Sequence, residues 1–419
     1  MSRIATSTIN QRGIDGILNN QVELSKVQKQ MSSGKRVVTP ADDPVAATQM
    51  LNLDKNIRIT EQYQANADYA RNRLSTAEQS LSSVGNLLQR VQELAVSANK
   101  DSLNNADRRA IAAEVDSRLE ELVGLANGKD GAGEYLFAGS KGSTRPFSYT
   151  DANGYQYDGD QRERNIRIGP DFDVQQTNSG DEVFMRIQDG NGTFTTDYNP
   201  NNNGSGQIDR GRVTDVTALT GHDYTVEVIA PPVPPLPPDA PNQIQVRDND
   251  TGNLVVGAAG PPPTGTPYED GMEVTFDGIT VGLEGEPDVG DEFTVEASRS
   301  QSVFDTVKRL SDALKDNWSG DSRRAQASME MEKALQDLSN AQDNILEVRS
   351  GIGARLNSID SQDTVNEAYN LQMKETLSGI EDLDYAKASG ELNLRMVGLQ
   401  AAQQVYSKVK GLSLFNYVQ

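Results

Sequence analysis

The sequence predicts an α+β fold: a long antiparallel helical hairpin or coiled-coil frame formed by both chain ends, with a mostly β domain inserted in the middle. Three observations lead there. In the first third and the last quarter of the 419 residues, apolar positions recur at alternating steps of three and four, the period of a helix. Around Glu134 the pattern changes to short aromatic and β-branched runs split by Gly, Asn and Asp, the signature of strands and turns. Charge divides the chain the same way. Met1–Arg36 carries six basic and two acidic residues, and Tyr385–Gln419 carries four and one. Met185–Ala297 carries nineteen acidic residues, four arginines and no lysine.

Taken in order, residues 1–42 read as an N-terminal helical assembly segment. Ile17, Leu24 and Met31 repeat every seven residues, with Ile14 and Val27 beside them. Ser33-Gly34 is a stop. Pro40 and Pro44 then exclude helix through Thr39 and Asp43, and Asp43 is placed to cap a helix that begins at Pro44. Residues 43–184 read as a long helical rod with a β-rich extension. Its seam runs Ala67, Ala70, Leu74, Ala77, Leu81, Val84, Leu88, Val91, Ala95, Ala98, interrupted by Gly85. A second helix follows, with Ile111, Val115, Leu119, Leu122 and Ala126 on one face, and Asn127-Gly128 closes it.

Strands are expected at Asn165–Ile168, Glu182–Ile187, Tyr224–Ile229, Glu273–Phe276 and Glu292–Val295. Residues 185–297 read as an inserted, outward-facing β domain. Pro231–Pro241 and Gly260–Pro267 read as exposed polyproline-type loops or edges. Residues 298–380 form a returning helical rod, with Val303, Val307, Leu310 and Leu314 before Gly320-Asp321, and Ala334, Leu338, Ala341, Ile345, Val348 and Ile352 after it. Residues 381–419 are a C-terminal helical assembly segment. Leu392, Leu399, Tyr406 and Val409 lie on one face, interrupted by Arg395.

The formal net charge of −22 disfavours nucleic acid and anionic membranes as partners. The absence of cysteine excludes disulfides and thiolate metal sites. No window has the length and purity of a membrane span, and Met1–Ser33 lacks the compact apolar run of a cleaved signal. No cofactor, metal or catalytic constellation is expected. His222, the single histidine, lies in a turn and reads as an exposed residue. Asp248-Asn249-Asp250-Thr251-Gly252 has Gly252 one position early for a calcium loop, and Ala259 stands where the bidentate glutamate belongs, so a turn is the better reading. Trp318 reads as helix-end packing.

The terminal stripes are narrow, and isolated helices of that kind are marginal in water. The expectation is therefore that the ends order on assembly. The predicted assembly seam is Ile14, Ile17, Leu24, Val27, Met31, Leu392, Leu399, Tyr406 and Val409.

Two motifs bracket the chain. Gln30-Met31-Ser32-Ser33-Gly34-Lys35-Arg36, followed by Ala41-Asp42-Asp43, and Ile380-Glu381-Asp382-Leu383-Asp384-Tyr385-Ala386 resemble elements of the bacterial flagellin family. Several details resemble a member that sits where hook meets filament: the prolines of Thr39–Pro44, Glu134–Ser140 with Pro146-Phe147, Arg349–Asn357, and the Ser413–Tyr417 ending. The resemblance implies a non-enzymatic structural subunit of an extracellular flagellum, exported without cleavage by the flagellar type III route. Its implied partners are further copies of itself in a ring, hook-associated protein 1, flagellin and a cytoplasmic export chaperone. The alternatives are a filament flagellin proper and, from another class, a secreted adhesin-like binding module.

Overall fold

The computed structural model describes residues 6–100, 103–231, 240–258 and 264–411; for residues 6, 7, 9, 10 and 409–411 only the backbone is described. Among the described residues there are seven α-helices: α1 Thr6–Ser33, α2 Pro44–Ala98, α3 Asn105–Ala126, α4 Gly180–Phe184, α5 Val303–Lys315, α6 Asp321–Glu381 and α7 Tyr385–Gly411. They group into two compact units, one of residues 1–66, 168–171 and 361–419, the other of residues 67–167 and 172–360. α2 and α6 contribute residues to both. No helix among the described residues is long and apolar enough to cross a membrane.

Local chemistry sets the helix ends. Asp43 accepts the Ala46 amide at 3.0 Å and starts α2 at Pro44. Asn104 caps α3 with a reciprocal capping box to Asp107. Gly34 ends α1 at φ +72°, a conformation that a side chain would strain.

In the larger unit the seam residues behave as a core. All ten seam residues from Ala67 to Ala98 are buried, and α2 runs unbroken through Gly85. The α6 seam from Ala334 to Ile352 is buried as well. α3 packs against α5, and the Trp318 indole donates to the Ala313 carbonyl at 2.9 Å beneath the Arg108 guanidinium. Phe137 and Phe147, both from the second resembling motif, join Phe184 and Phe304 in an aromatic knot with ring centroids 5.0–5.7 Å apart. Arg349 and Arg355 of the third motif bond Glu78 and Asn178.

The inserted domain is two antiparallel sheets over one core. The first orders the strands Leu254–Val256, Gln243–Asp248, Tyr224–Ile229, Glu292–Ala297 and Phe194–Tyr198; Thr266–Pro267 also pairs with Gln243–Asp248. The second joins Met272–Phe276 to Ile279–Glu284 through the two-residue turn Asp277-Gly278, both at positive φ, as a tight hairpin requires. Tyr224, Val226, Phe293 and Val295 face Val274, Phe276, Val281 and Leu283 in that core. Residues 232–239 of Pro231–Pro241 and 260–263 of Gly260–Pro267 lie outside the described residues; Thr266–Pro267 forms an exposed edge strand.

One expectation fails. Glu182–Ile187 is not a strand: Gly180–Phe184 is a helical turn, and only Ile187–Gln188 pairs, with Ser300–Gln301. Val183, Phe184 and Ile187 are buried by the aromatic knot and its surroundings, so tertiary packing overrides their β propensity.

α6 grips this domain with polar side chains. The Gln326 amide donates to the Asn202 carbonyl at 3.1 Å, and that of Asn340 to the Gln188 and Gly190 carbonyls at 2.8 and 2.9 Å. Asn344 reaches Glu182 and Val183, Lys333 pairs with Asp197, and Asp337 accepts the Gly190 amide at 3.1 Å. The stripe 326, 333, 337, 340, 344 has heptad spacing, yet four of its five residues bond backbone groups and Lys333 a carboxylate.

Candidate assembly surface of the terminal helices

In the smaller unit the two bracketing motifs meet. The Arg36 amide donates to the Glu381 carbonyl at 2.7 Å and the Leu383 amide to the Gly34 carbonyl at 2.9 Å, with a Lys35–Asp382 bridge between them. Lys35 and Glu381 form an ion pair that raises the lysine pKa. Tyr385 donates its hydroxyl to the Met31 carbonyl at 3.2 Å, and a Cβ on Gly34 would lie 3.2 Å from that hydroxyl. This close approach gives Gly34 a second reason to be glycine.

Asp42 accepts from the Thr39 amide and hydroxyl at 2.8 and 3.0 Å and pairs with Lys26 at 3.2 Å. Backbone hydrogen bonds, from Thr39 to Asp42 and from Ala46 to Asp43, hold both carboxyls below their ordinary range. These aspartates are structural clasps of the turn.

From this clasp α1 and α7 run side by side. Met31 meets Tyr385, Glu23 meets Arg395 at 3.8 Å, and a Cβ on Gly13 would touch Tyr406 at 3.3 Å. The partner numbers fall as the others rise, so the helices are antiparallel. Arg395, the interruption in the predicted stripe, carries ion pairs to Glu23 and Glu391 and so belongs to the seam. Val27 is buried, while Ile17, Leu24, Met31, Leu392, Leu399 and Tyr406 are half-buried and Ile14 lies at the exposed margin. The side chain of Val409 lies outside the described residues. The α1–α7 contacts are made within one chain.

A second stripe escaped the sequence reading. On α1, Ile14, Leu18 and Val22 recur every four residues on an exposed face, with Val22 66% exposed. On α7, Leu394, Val397, Ala401 and Val405 follow at steps of three and four on an exposed face, with Leu394 72% exposed. The signal was present as apolar residues on both sides of α7, but heptad counting selects one stripe and treats the remainder as incidental surface.

In the inserted domain, His222 has a partner: its Nδ1 lies 2.8 Å from Asp248 Oδ2. Asp248 also accepts the Asp250 and Thr251 amides, and Asp250 accepts the Asp223 amide. These bonds account for the segment as a turn. Donor atoms of His222, Asp248 and Asp250 lie within 4.8 Å of one another, the one such grouping found among the described residues.

Residues 4–142 match the bacterial flagellin N-terminal helical region, and residues 335–418 match the flagellin C-terminal helical region, together more than half of the sequence. The chain belongs to the bacterial flagellin family. Within that family it is similar to flagellar hook-associated protein 3 of Escherichia coli strain K12, 25% identical over 413 residues that span 99% of this chain and 98% of that protein. Among solved structures, it is similar to hook-associated protein 3 of Legionella pneumophila, at TM-score 0.72 and 29% identity, covering 78% of this chain and 98% of that one. The FlgL structure of Xanthomonas campestris matches at TM-score 0.69 and 31% identity, covering 78% of this chain and 99% of that one. The matched terminal regions contain the two helices that carry the exposed stripes.

Proposed function

We propose that this chain is a structural subunit of the bacterial flagellum that forms the junction layer between hook and filament and allows flagellin to polymerise on it. The observation that carries the reading is similarity along nearly the whole of both chains to a flagellar hook-associated protein 3, and not over the terminal helices alone. The paired α1 and α7 supply the assembly surface. Their facing residues Ile17, Leu24, Val27, Met31, Leu392, Leu399 and Tyr406 set the hairpin, and Leu18, Val22, Leu394, Val397 and Val405 are left for neighbours.

The chain is exported through the flagellar type III route without a cleaved signal, and it works outside the cell without catalysis. Its neighbours are copies of itself in a ring, hook-associated protein 1 and flagellin, with a cytoplasmic chaperone before export. The acidic inserted domain faces solvent.

Deleting the gene tests the reading. Intact hooks that release flagellin monomer into the medium are expected, with the subunit located by antibody at the hook tip in the parent strain. Normal filaments in the deletion strain would defeat it. Labelling along the whole filament would favour a filament flagellin instead.

A further inference from the structure

We propose that His222, Asp248 and Asp250 bind one divalent first-row transition-metal ion at a corner of the inserted domain. The three residues come from two segments, the turn that leads into Tyr224–Ile229 and the turn that leaves Gln243–Asp248. Those strands are paired with Tyr224 opposite Asp248, so the register itself brings the two turns together. One donor atom of each residue lies within 4.8 Å of the other two. His222 Nδ1 and Asp248 Oδ2 are 2.8 Å apart. Bonds of ~2.0–2.2 Å to a shared ion set adjacent donors about 3 Å apart. That pair already has the spacing of neighbouring ligands, and the exposed Asp250 has only a short way to close.

Each carboxylate has one oxygen tied to the backbone and the other presented. Asp248 Oδ1 accepts the Asp250 and Thr251 amides at 2.9 and 3.0 Å, which leaves Oδ2 toward the imidazole. Asp250 Oδ2 accepts the Asp223 amide at 3.0 Å, which leaves Oδ1. The His222 amide donates to Thr220 Oγ1 at 3.2 Å and steadies the third ligand's turn. Outer hydrogen bonds of this kind orient metal ligands before the ion arrives.

Charge supplies an independent reason. Asp248 is 4% exposed, and a buried carboxylate calls for a cation. The domain offers none. Residues 185–297 hold no lysine, and their four arginines are engaged elsewhere: Arg186 with Asp181, Arg210 with Gln336, Arg212 with Glu273 and Arg247 with the Gly252 carbonyl. Arg299, just beyond, pairs with Asp223 and Glu296. Asp277, which accepts the Tyr224 hydroxyl at 2.9 Å, adds its charge to those of Asp248 and Asp250 around His222. Three carboxylates therefore share one imidazole, and a divalent ion neutralises what the imidazole cannot. A nitrogen donor beside carboxylate oxygens suits zinc, cobalt or nickel, whereas calcium takes oxygen alone.

Zinc is the probe. The untagged full chain, stripped with a chelator, is titrated with zinc sulfate by calorimetry, and one ion per chain at micromolar affinity or tighter is expected. Because the chain has a single histidine, isotope-labelled histidine gives an imidazole nitrogen spectrum that needs no assignment between residues. Zinc should move Nδ1 strongly and Nε2 little. His222→Gln and Asp250→Asn should each weaken binding about tenfold or more. Asp288→Asn, an exposed carboxylate of the same domain, should bind as the parent does. Circular dichroism checks that the variants fold; if His222→Gln does not, Asp250→Asn and the nitrogen spectrum of the parent chain still decide. An Nδ1 signal unmoved at saturating zinc would overturn the proposal. So would a folded His222→Gln that binds as tightly as the parent, since zinc would then be condensing on the acidic surface. Magnesium or calcium displacing zinc at equal concentration would also overturn it, by assigning the corner to a hard cation.

Discussion

The two units treat their apolar residues in opposite ways. In the larger unit the seams are closed: Leu74, Leu81, Val84, Leu88, Leu338 and Ile352 are shielded from water. The smaller unit, with fewer residues, holds most of the large exposed hydrophobics, among them Leu18, Val22, Leu51, Leu371, Leu394, Val397 and Val405. Both are built from heptad-patterned helices, so the difference lies in how many apolar stripes each helix carries and how many partners its own chain supplies. The first unit is complete as a folding core. The second pairs its terminal helices through one stripe and leaves the other exposed, which suits the assembly role proposed for it.

The sharpest way to break this comparison is to damage the closed seam. Leu81→Ala or Leu338→Ala leaves a cavity and is expected to cost ~2–5 kcal/mol of unfolding free energy, read from denaturant melts of the purified chain. A loss below about 0.5 kcal/mol, the range of surface changes, would show that the larger unit is not a continuous core. Next in size, Asn340→Ala removes the donor to two carbonyls of the inserted domain. The expected cost is about 1–3 kcal/mol. Hydrogen exchange should rise first in Phe194–Tyr198 and the Gln188–Gly190 segment, and uniform exchange would argue that the domain is not seated through this stripe.

These two tests also mark what the sequence could reveal. Ala67–Ala98 and Ala334–Ile352 were legible because a buried helix stripe repeats at a fixed spacing whatever its partner. The clasp of Gly34–Arg36 with Glu381–Leu383 was legible only as two motifs; that they touch follows from the fold. Asn340, Asn344 and Asp337 were not legible, since a polar residue on a long helix is ordinarily a solvated one. The helical turn at Gly180–Phe184 was misread because its side chains favour strands and the aromatic knot decided otherwise. The α7 second stripe was not legible as a stripe, because one heptad face already accounts for the helix and the remaining apolar residues read as surface.

A smaller effect is expected from protons. Burial raises the carboxyls of Asp337 and Glu330 above their ordinary values. The folded chain then holds protons that the unfolded chain has released, so this contribution to stability is full at low pH and is lost as pH rises from about 4, the ordinary carboxyl range, through the raised folded values. Asp337→Asn cannot titrate. Its unfolding free energy should fall less steeply than that of the parent chain over that rise, measured by urea melts in matched salt. Equal slopes would mean that Asp337 is ionised in the folded protein, its charge satisfied by Arg309 and the Gly190 amide.

The smallest effect on stability is the one that bears most directly on the proposed function. Leu394 and Val397 sit on the wet face of α7, away from the stripe that carries Arg395 and Tyr406. Replacing both with Ser removes little buried area from the single chain, and its melting should shift by no more than about 0.5 kcal/mol per site. If neighbours cover that face, the same change removes apolar burial of ~25 cal/mol per Å² at every contact in the layer, and the penalty repeats with each subunit. The expected result is a chain that folds and is exported normally but does not hold filament on the hook, seen as flagellin in the medium. A control pair on the facing stripe, Leu392→Ser with Leu399→Ser, should do the reverse and loosen the hairpin of the isolated chain. If the outer pair destabilises the monomer as much as the facing pair does, the distinction between a folding stripe and an adhesive stripe is lost, and α7 is an ordinary core helix.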